Sequence, residues 1–172
     1  MWLFTDRARL PDPLAAAARL PPGKAGVVLR DDAFSGRADL GSRLARLCRA
    51  RRLVLLVAGD ARLAAALGAG VHLRAGRWPG SSRRRGFLVS SSVHDLAEMR
   101  RAERAGARLL FLSPFAQTAS HPGARALGPC RWVALARQGR SLVLALGGVS
   151  GRNAGALPAR FCAGVAAIGA LE

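Results

Sequence analysis

Short apolar runs alternate with amphipathic stretches along the chain. Gly26 to Arg30 (GVVLR), Leu53 to Ala58 (LVLLVA), Arg108 to Leu112 (RLLFL) and Leu142 to Leu146 (LVLAL) have unbroken apolar middles, the pattern of strands buried on both faces of a parallel sheet. Trp2 to Thr5, Gly70 to Leu73, Phe87 to Ser90 and Val165 to Ile168 add four more. Between these runs the period lengthens. Leu40, Leu44, Leu47 and Cys48 put one apolar stripe on a helix. Leu14 to Leu20 and Ala61 to Leu67 predict small Ala-rich helices, the first ended by Pro21-Pro22-Gly23. Leu96, Met99 and Ala102 mark the buried side of another, opened by Ser92 and Asp95 as a capping box and closed at Gly106. Cys130 to Arg137 predicts a further helix, although RWVALA has strand character, and a last helix is expected from Asn153 to about Cys162.

Two stretches interrupt the alternation. Arg74 to Gly86 (RAGRWPGSSRRRG) has no apolar period and carries turn residues, so a loop is expected. Ser113 to Gly123 (SPFAQTASHPG) follows the sixth strand and is too long and polar for a plain connector; such loops are usually functional. Strands that alternate with helices pair in parallel, and eight of them predict a small (β/α)8 TIM barrel. At 172 residues the chain falls short of the ~200 to 400 usual for that fold, so the fourth helix should be degenerate or missing. A single domain spanning 1–172 is expected. An open doubly wound sheet is the competing arrangement, but no G-x-G-x-x-G follows the first strand.

Composition changes the picture little. The net charge of +17 comes almost wholly from arginine, since Lys24 is the single lysine. Such a charge invites nucleic acid. The arginines are dispersed, however, and no aromatic residues interleave with them as a stacking platform would need. Nucleic acid therefore ranks below an anionic, phosphorylated small-molecule substrate. Cys48, Cys130 and Cys162 are odd in number and widely spaced, which reads as reduced thiols rather than a disulfide or zinc framework. No apolar run reaches the ~18 residues of a membrane span, and the N-terminal MWLFTDRARLPDP does not have the form of a signal peptide. No membrane partner is expected, and cytoplasmic is the expected compartment. A homo-oligomer is compatible with the sequence.

One local feature suggests a ligand. Gly147 and Gly148 follow the seventh apolar run directly, and Ile168 and Gly169 end the eighth. Glycine lets main-chain N–H groups approach a phosphate, and TIM barrels commonly bind phosphate after strands seven and eight.

GVVLR, LLVAGD, AGVHL, SSVHD, SPFAQTASHPG, LALGGVSGRNA and VAAIGAL occur in sequence from Gly26 onward. Their order and spacing resemble those of the thiamine phosphate synthase and TenI-type thiazole tautomerase family. The resemblance implies a (β/α)8 barrel that joins an aminopyrimidine diphosphate to a thiazole phosphate, with Mg²⁺ and basic residues drawing off diphosphate. It implies Arg30 as a diphosphate-binding arginine, Asp60 as a metal aspartate and Ser92 as the serine beside the diphosphate. Thr118 and Ser120 match the hydroxyl residues of the thiazole phosphate loop, and Gly147, Gly148, Ile168 and Gly169 the backbone phosphate cradle.

The chain also departs from the pattern. Val28 and Asp32 stand where the family has glutamine and lysine, RAGRW replaces the segment with the second metal aspartate, and His121 takes the place of a loop lysine. Mg²⁺ would then have Asp60 as its one family aspartate. Three readings follow: a thiamine phosphate synthase with an altered diphosphate and metal site, a TenI-like tautomerase, or a non-catalytic phosphate-binding barrel. Among the histidines, His121 is the catalytic candidate because it lies on the long loop; His72 reads as a packed barrel residue and His94 as an exposed one.

Overall fold

The computed structural model describes residues 1–30, 32, 34–79, 86–117 and 125–168. Eight parallel strands close into a barrel: β1 (Trp2–Phe4), β2 (Gly26–Leu29), β3 (Val54–Ala58), β4 (Gly70–Arg74), β5 (Val89–Val93), β6 (Leu109–Leu112), β7 (Leu142–Leu146) and β8 (Val165–Ile168). They pair in chain order, and β8 returns to β1 with Phe4 opposite Ile168. The helices are α1 (Pro13–Arg19), α2 (Arg37–Arg51), α3 (Ala61–Leu67), α4 (Leu96–Arg104) and α5 (Gly128–Ala136). None of the helices is long and apolar enough to cross a membrane.

Alternation along the strands divides the apolar residues into two cores. Trp2, Phe4, Val28, Leu56, Ala58, Phe111, Leu144, Leu146 and Ala166 form the cluster inside the barrel. Trp2 and Phe4 meet Phe111 edge to face at 5.5 and 4.9 Å, a geometry that adds to plain burial. Gly26 has to be small here, because the Trp2 indole stands where its Cβ would lie. The alternate residues, Val27, Leu29, Leu55, Val57 and Leu110, pack outward with Leu44 of α2, Met99 of α4 and Trp132 of α5.

Among the described residues no helix stands between β4 and β5, as the short middle loop predicts. A turn takes its place. Ala75 and Gly76 adopt positive φ, and the Gly76 backbone lies so close to Ala102 of α4 that a Cβ would clash with it. Gly76 N donates to Ser91 Oγ at 2.9 Å, Trp78 Nε1 to Ala105 O at 3.1 Å and Arg101 Nε to Ala75 O at 2.6 Å. The turn thereby packs directly on α4.

Two expectations are corrected. Ser92 does not cap α4, because the fifth strand runs to Val93 rather than ending at Ser90. Asp95 is the cap: its carboxylate accepts from Glu98 N at 2.8 Å, while Glu98 accepts from His94 N at 2.9 Å. The serines belong to the strand because each hydroxyl finds a partner there, Ser90 and Ser92 on His72 and Ser91 on the Gly76 amide. The last helix is also absent; Ala154–Ala156 form a single 3-10 turn. Gly151 and Gly155 weaken a helix here, and Pro158 lacks the N–H that would continue one.

Candidate functional site

Parallel strands bring all eight carboxyl ends to one mouth, where barrels of this kind carry their sites. Arg30 lies two residues beyond Val28, Arg74 two beyond His72, and Ser92 two beyond Ser90. Period two therefore keeps all three on the inward phase as the strands reach the mouth.

His72 lies beneath this group. Its Nδ1 is 2.8 Å from Ser90 Oγ and its Nε2 2.9 Å from Ser92 Oγ, and Phe4 meets the ring edge to face at 5.3 Å. Burial, and then the nearby positive charge of Arg30, push its pKa down to about 3. The ring is neutral, so one nitrogen donates to a serine hydroxyl and the other accepts from the second. His72 is thus a packed barrel histidine that fixes the Ser92 hydroxyl. His94 is exposed and pairs through Nδ1 with Glu98 Oε2 at 2.8 Å.

Charged groups crowd the ends of β1 to β4. The Arg30 backbone N–H donates to Thr5 Oγ1 at 3.0 Å, and its guanidinium bonds Asp6 Oδ2 at 2.6 Å. Asp6 also carries Arg9 at 3.8 Å. Asp32 likewise holds two guanidinium groups, Arg37 at 3.2 Å and Arg74 on its other oxygen. Arg37, the first residue of α2, donates as well to Ala58 O at the end of β3 and to Leu29 O of β2 at 3.5 Å. Its side chain is 12% exposed, whereas that of Arg74 is 64% exposed. No local signal singles out Arg37 or Arg74, because pairing between a loop residue, a helix start and a strand end appears only once the barrel closes.

Asp60 sits at the mouth but is engaged locally. It caps α3, with Oδ1 accepting from Arg62 N at 3.0 Å and Leu63 N at 2.9 Å. Asp6 and Asp32 are held by guanidinium groups, and β4 ends at Arg74 and is followed by Arg77 rather than by an acid. Among the described residues no cluster of three or more His, Cys, Asp or Glu could hold a metal. These residues do not fit Mg²⁺, which asks for near-octahedral oxygen donors.

The opposite arc is made of backbone. Gly147 and Gly148 have φ of 84° and 68°, conformations that glycine adopts without strain. The Gly148 Cα abuts the backbone of Ala116 and Gln117, while Phe115 N donates to Leu146 O at 2.9 Å and Ala116 N to Gly147 O at 3.0 Å. The start of the β6 loop is thus fastened to the end of β7. Asn153 braces the same turn, donating from Nδ2 to Gly148 O at 2.7 Å and accepting from Ser150 N at 2.8 Å. The glycine pair pointed to this turn; nothing local in the sequence singled out Asn153 as its brace. Ile168 ends β8 beside it, whereas Thr118, Ser120, His121 and Gly169 lie outside the described residues.

Residues 4–171 match the family model described as thiamine monophosphate synthase. A thiamine-phosphate synthase of Herpetosiphon aurantiacus is 34% identical over 167 residues, covering 93% of this chain and 81% of that protein. One of Chlorobium luteolum is 32% identical over 168 residues, with 92% and 79% covered. Among solved structures, thiamine phosphate pyrophosphorylase from Pyrococcus furiosus superposes with a TM-score of 0.80 at 24% identity, over 97% of this chain and 84% of that one. That likeness is one of fold, shared also with FabK from Thermotoga maritima at a TM-score of 0.71 and 18% identity, over 96% of this chain and 57% of that one.

Proposed function

The chain belongs to the thiamine monophosphate synthase and TenI family, and we propose that it is a thiamine phosphate synthase-like transferase with an altered diphosphate half. The observation that carries this reading is the mouth's division into two arcs of different chemistry. A backbone turn at Gly147 and Gly148 suits a small phosphate, and the arginines around Arg30 suit a leaving diphosphate.

The thiazole phosphate would rest on the Gly147–Gly148 turn and the end of β8. The aminopyrimidine diphosphate would place its diphosphate toward Arg30 and Ser92. As the bond from the methylene carbon to the diphosphate oxygen breaks, its electron pair leaves with diphosphate. The thiazole nitrogen supplies the pair for the new C–N bond. Arg30 meets the developing charge, and Ser92, with His72 Nε2–H donating to its Oγ, keeps its own hydrogen to donate to that charge. Bond formation at nitrogen needs no base, consistent with a neutral, enclosed His72.

The tautomerase reading needs an acid or base at the mouth. His72 is buried and neutral and His94 pairs with Glu98 away from the glycine turn, so that reading rests on His121. A non-catalytic barrel would bind the phosphates without turnover. The synthase reading is tested by supplying both substrates to the purified chain and following thiamine phosphate. Product should form, and Arg30→Ala should lower kcat/KM by about a hundredfold, the order seen when one donor to a developing anion is removed. Turnover of a thiazole carboxylate phosphate alone would favour the tautomerase.

A further inference from the structure

We infer that the diphosphate half of the mouth is a guanidinium clamp, in which Arg30 and Arg74 take the part that a divalent cation would play. The inference rests on the synthase reading for the identity of the anion. Its geometric basis is a repeated arrangement of two guanidinium groups on one carboxylate. Asp32 holds Arg37 and Arg74, and Asp6 holds Arg30 and Arg9. Each carboxylate therefore keeps a cation when one arginine turns to a new anion.

The two arginines on Asp32 are unequal. Arg37 is anchored by the strand-end carbonyls Leu29 O and Ala58 O and is largely covered. Arg74 is mostly exposed, and its ion pair lies in solvent, where such pairs are weak. Arg74 is thus the arm that exchanges partners. Arg30 follows β2 and Arg74 ends β4, with β3 paired between the two strands, so both arms belong to the same side of the mouth. Strands two apart lie roughly 10 Å from one another, within reach of two arginine side chains closing on a bound diphosphate.

Diphosphate carries several negative charges and accepts paired N–H donors, so it competes well against a single exposed carboxylate. A magnesium ion meets the reverse situation, with the Asp6 and Asp32 oxygens already facing cations and Asp60 capping α3. In the reaction, the C–O bond to diphosphate breaks, the pair stays on the diphosphate oxygen, and Arg30 and Arg74 neutralise it.

The test is calorimetric titration of the purified full chain with inorganic pyrophosphate at moderate salt, in EDTA and then with Mg²⁺, alongside the coupling assay. Pyrophosphate is expected to bind in EDTA. Arg74→Ala should weaken it about ten- to a hundredfold, the value of a charged hydrogen bond, and Arg74→Lys should restore part of the loss. Arg46→Ala, on the exposed side of α2, should change the affinity by less than about twofold. Binding that requires Mg²⁺, unchanged affinity in Arg74→Ala, or an equal loss in Arg46→Ala would each overturn the clamp. Coupling activity combined with Mg²⁺-dependent binding would remove the clamp and keep the synthase reading. Binding in EDTA that depends on Arg74, with no thiamine phosphate formed, would support the clamp and remove that reading.

Discussion

The two arcs of the mouth are built by opposite means. At β7 and β8 a phosphate would meet main chain, fixed by two left-handed glycines and by hydrogen bonds from Phe115, Ala116 and Asn153. At β2 to β4 it would meet side chains, arginines held by carboxylates that a stronger anion can displace. A backbone cradle tolerates almost no change at the residues that shape it. A side-chain clamp can exchange one cation for another.

The largest effect should come from disturbing the backbone arc. Gly148→Ala would put a Cβ against the Ala116 and Gln117 backbone at φ +68°. Strain together with a clash that no side chain can relieve should cost on the order of 3 kcal/mol and abolish thiamine phosphate formation. Thermal melts and product assay of one preparation measure both.

Next comes the layer beneath the charged arc. His72 has its pKa depressed to about 3 in the folded chain, against an ordinary 6.5. The unfolded chain therefore takes up the proton first. The associated stability is fully present above pH 6.5 and is lost as pH falls toward the folded value. Each pH unit in that window costs about 1.4 kcal/mol. Melting temperature should fall between pH 7 and pH 5, and less steeply in His72→Gln, which cannot gain the charge. Equal slopes would show that His72 is not held neutral.

The smallest effect should come from Asp32. Asp32→Asn removes a carboxylate from exposed Arg74 and from largely covered Arg37, which keeps its bonds to Leu29 O and Ala58 O. Stability should change by about 1 kcal/mol, while pyrophosphate binds more tightly because Arg74 loses its competitor. Weaker binding would mean that Asp32 positions the arginines rather than competing with the anion.

Barrel closure, and the lack of a helix between β4 and β5 among the described residues, were legible because strand runs and turn residues are local signals. The glycine turn was legible for the same reason. Hydrophobic period extends no further than its own element, so it did not reveal that Ser90 and Ser92 would meet His72 on the neighbouring strand, or that the serine run was strand rather than cap. The Arg37–Asp32–Arg74 cluster was invisible because its members lie on a helix start, a loop and a strand end. The expected last helix does not form because Gly151 and Gly155 disfavour helix and Pro158 cannot continue one.

The central claim is that this barrel joins the two substrates while holding the diphosphate with arginine. Thiamine phosphate formation by the full chain in EDTA, after prior removal of metal, tests it most directly. The account predicts product and stoichiometric pyrophosphate in EDTA, with Arg74→Ala reducing both. Product that appears only when Mg²⁺ is restored, at a rate unaffected by Arg74→Ala, would contradict it.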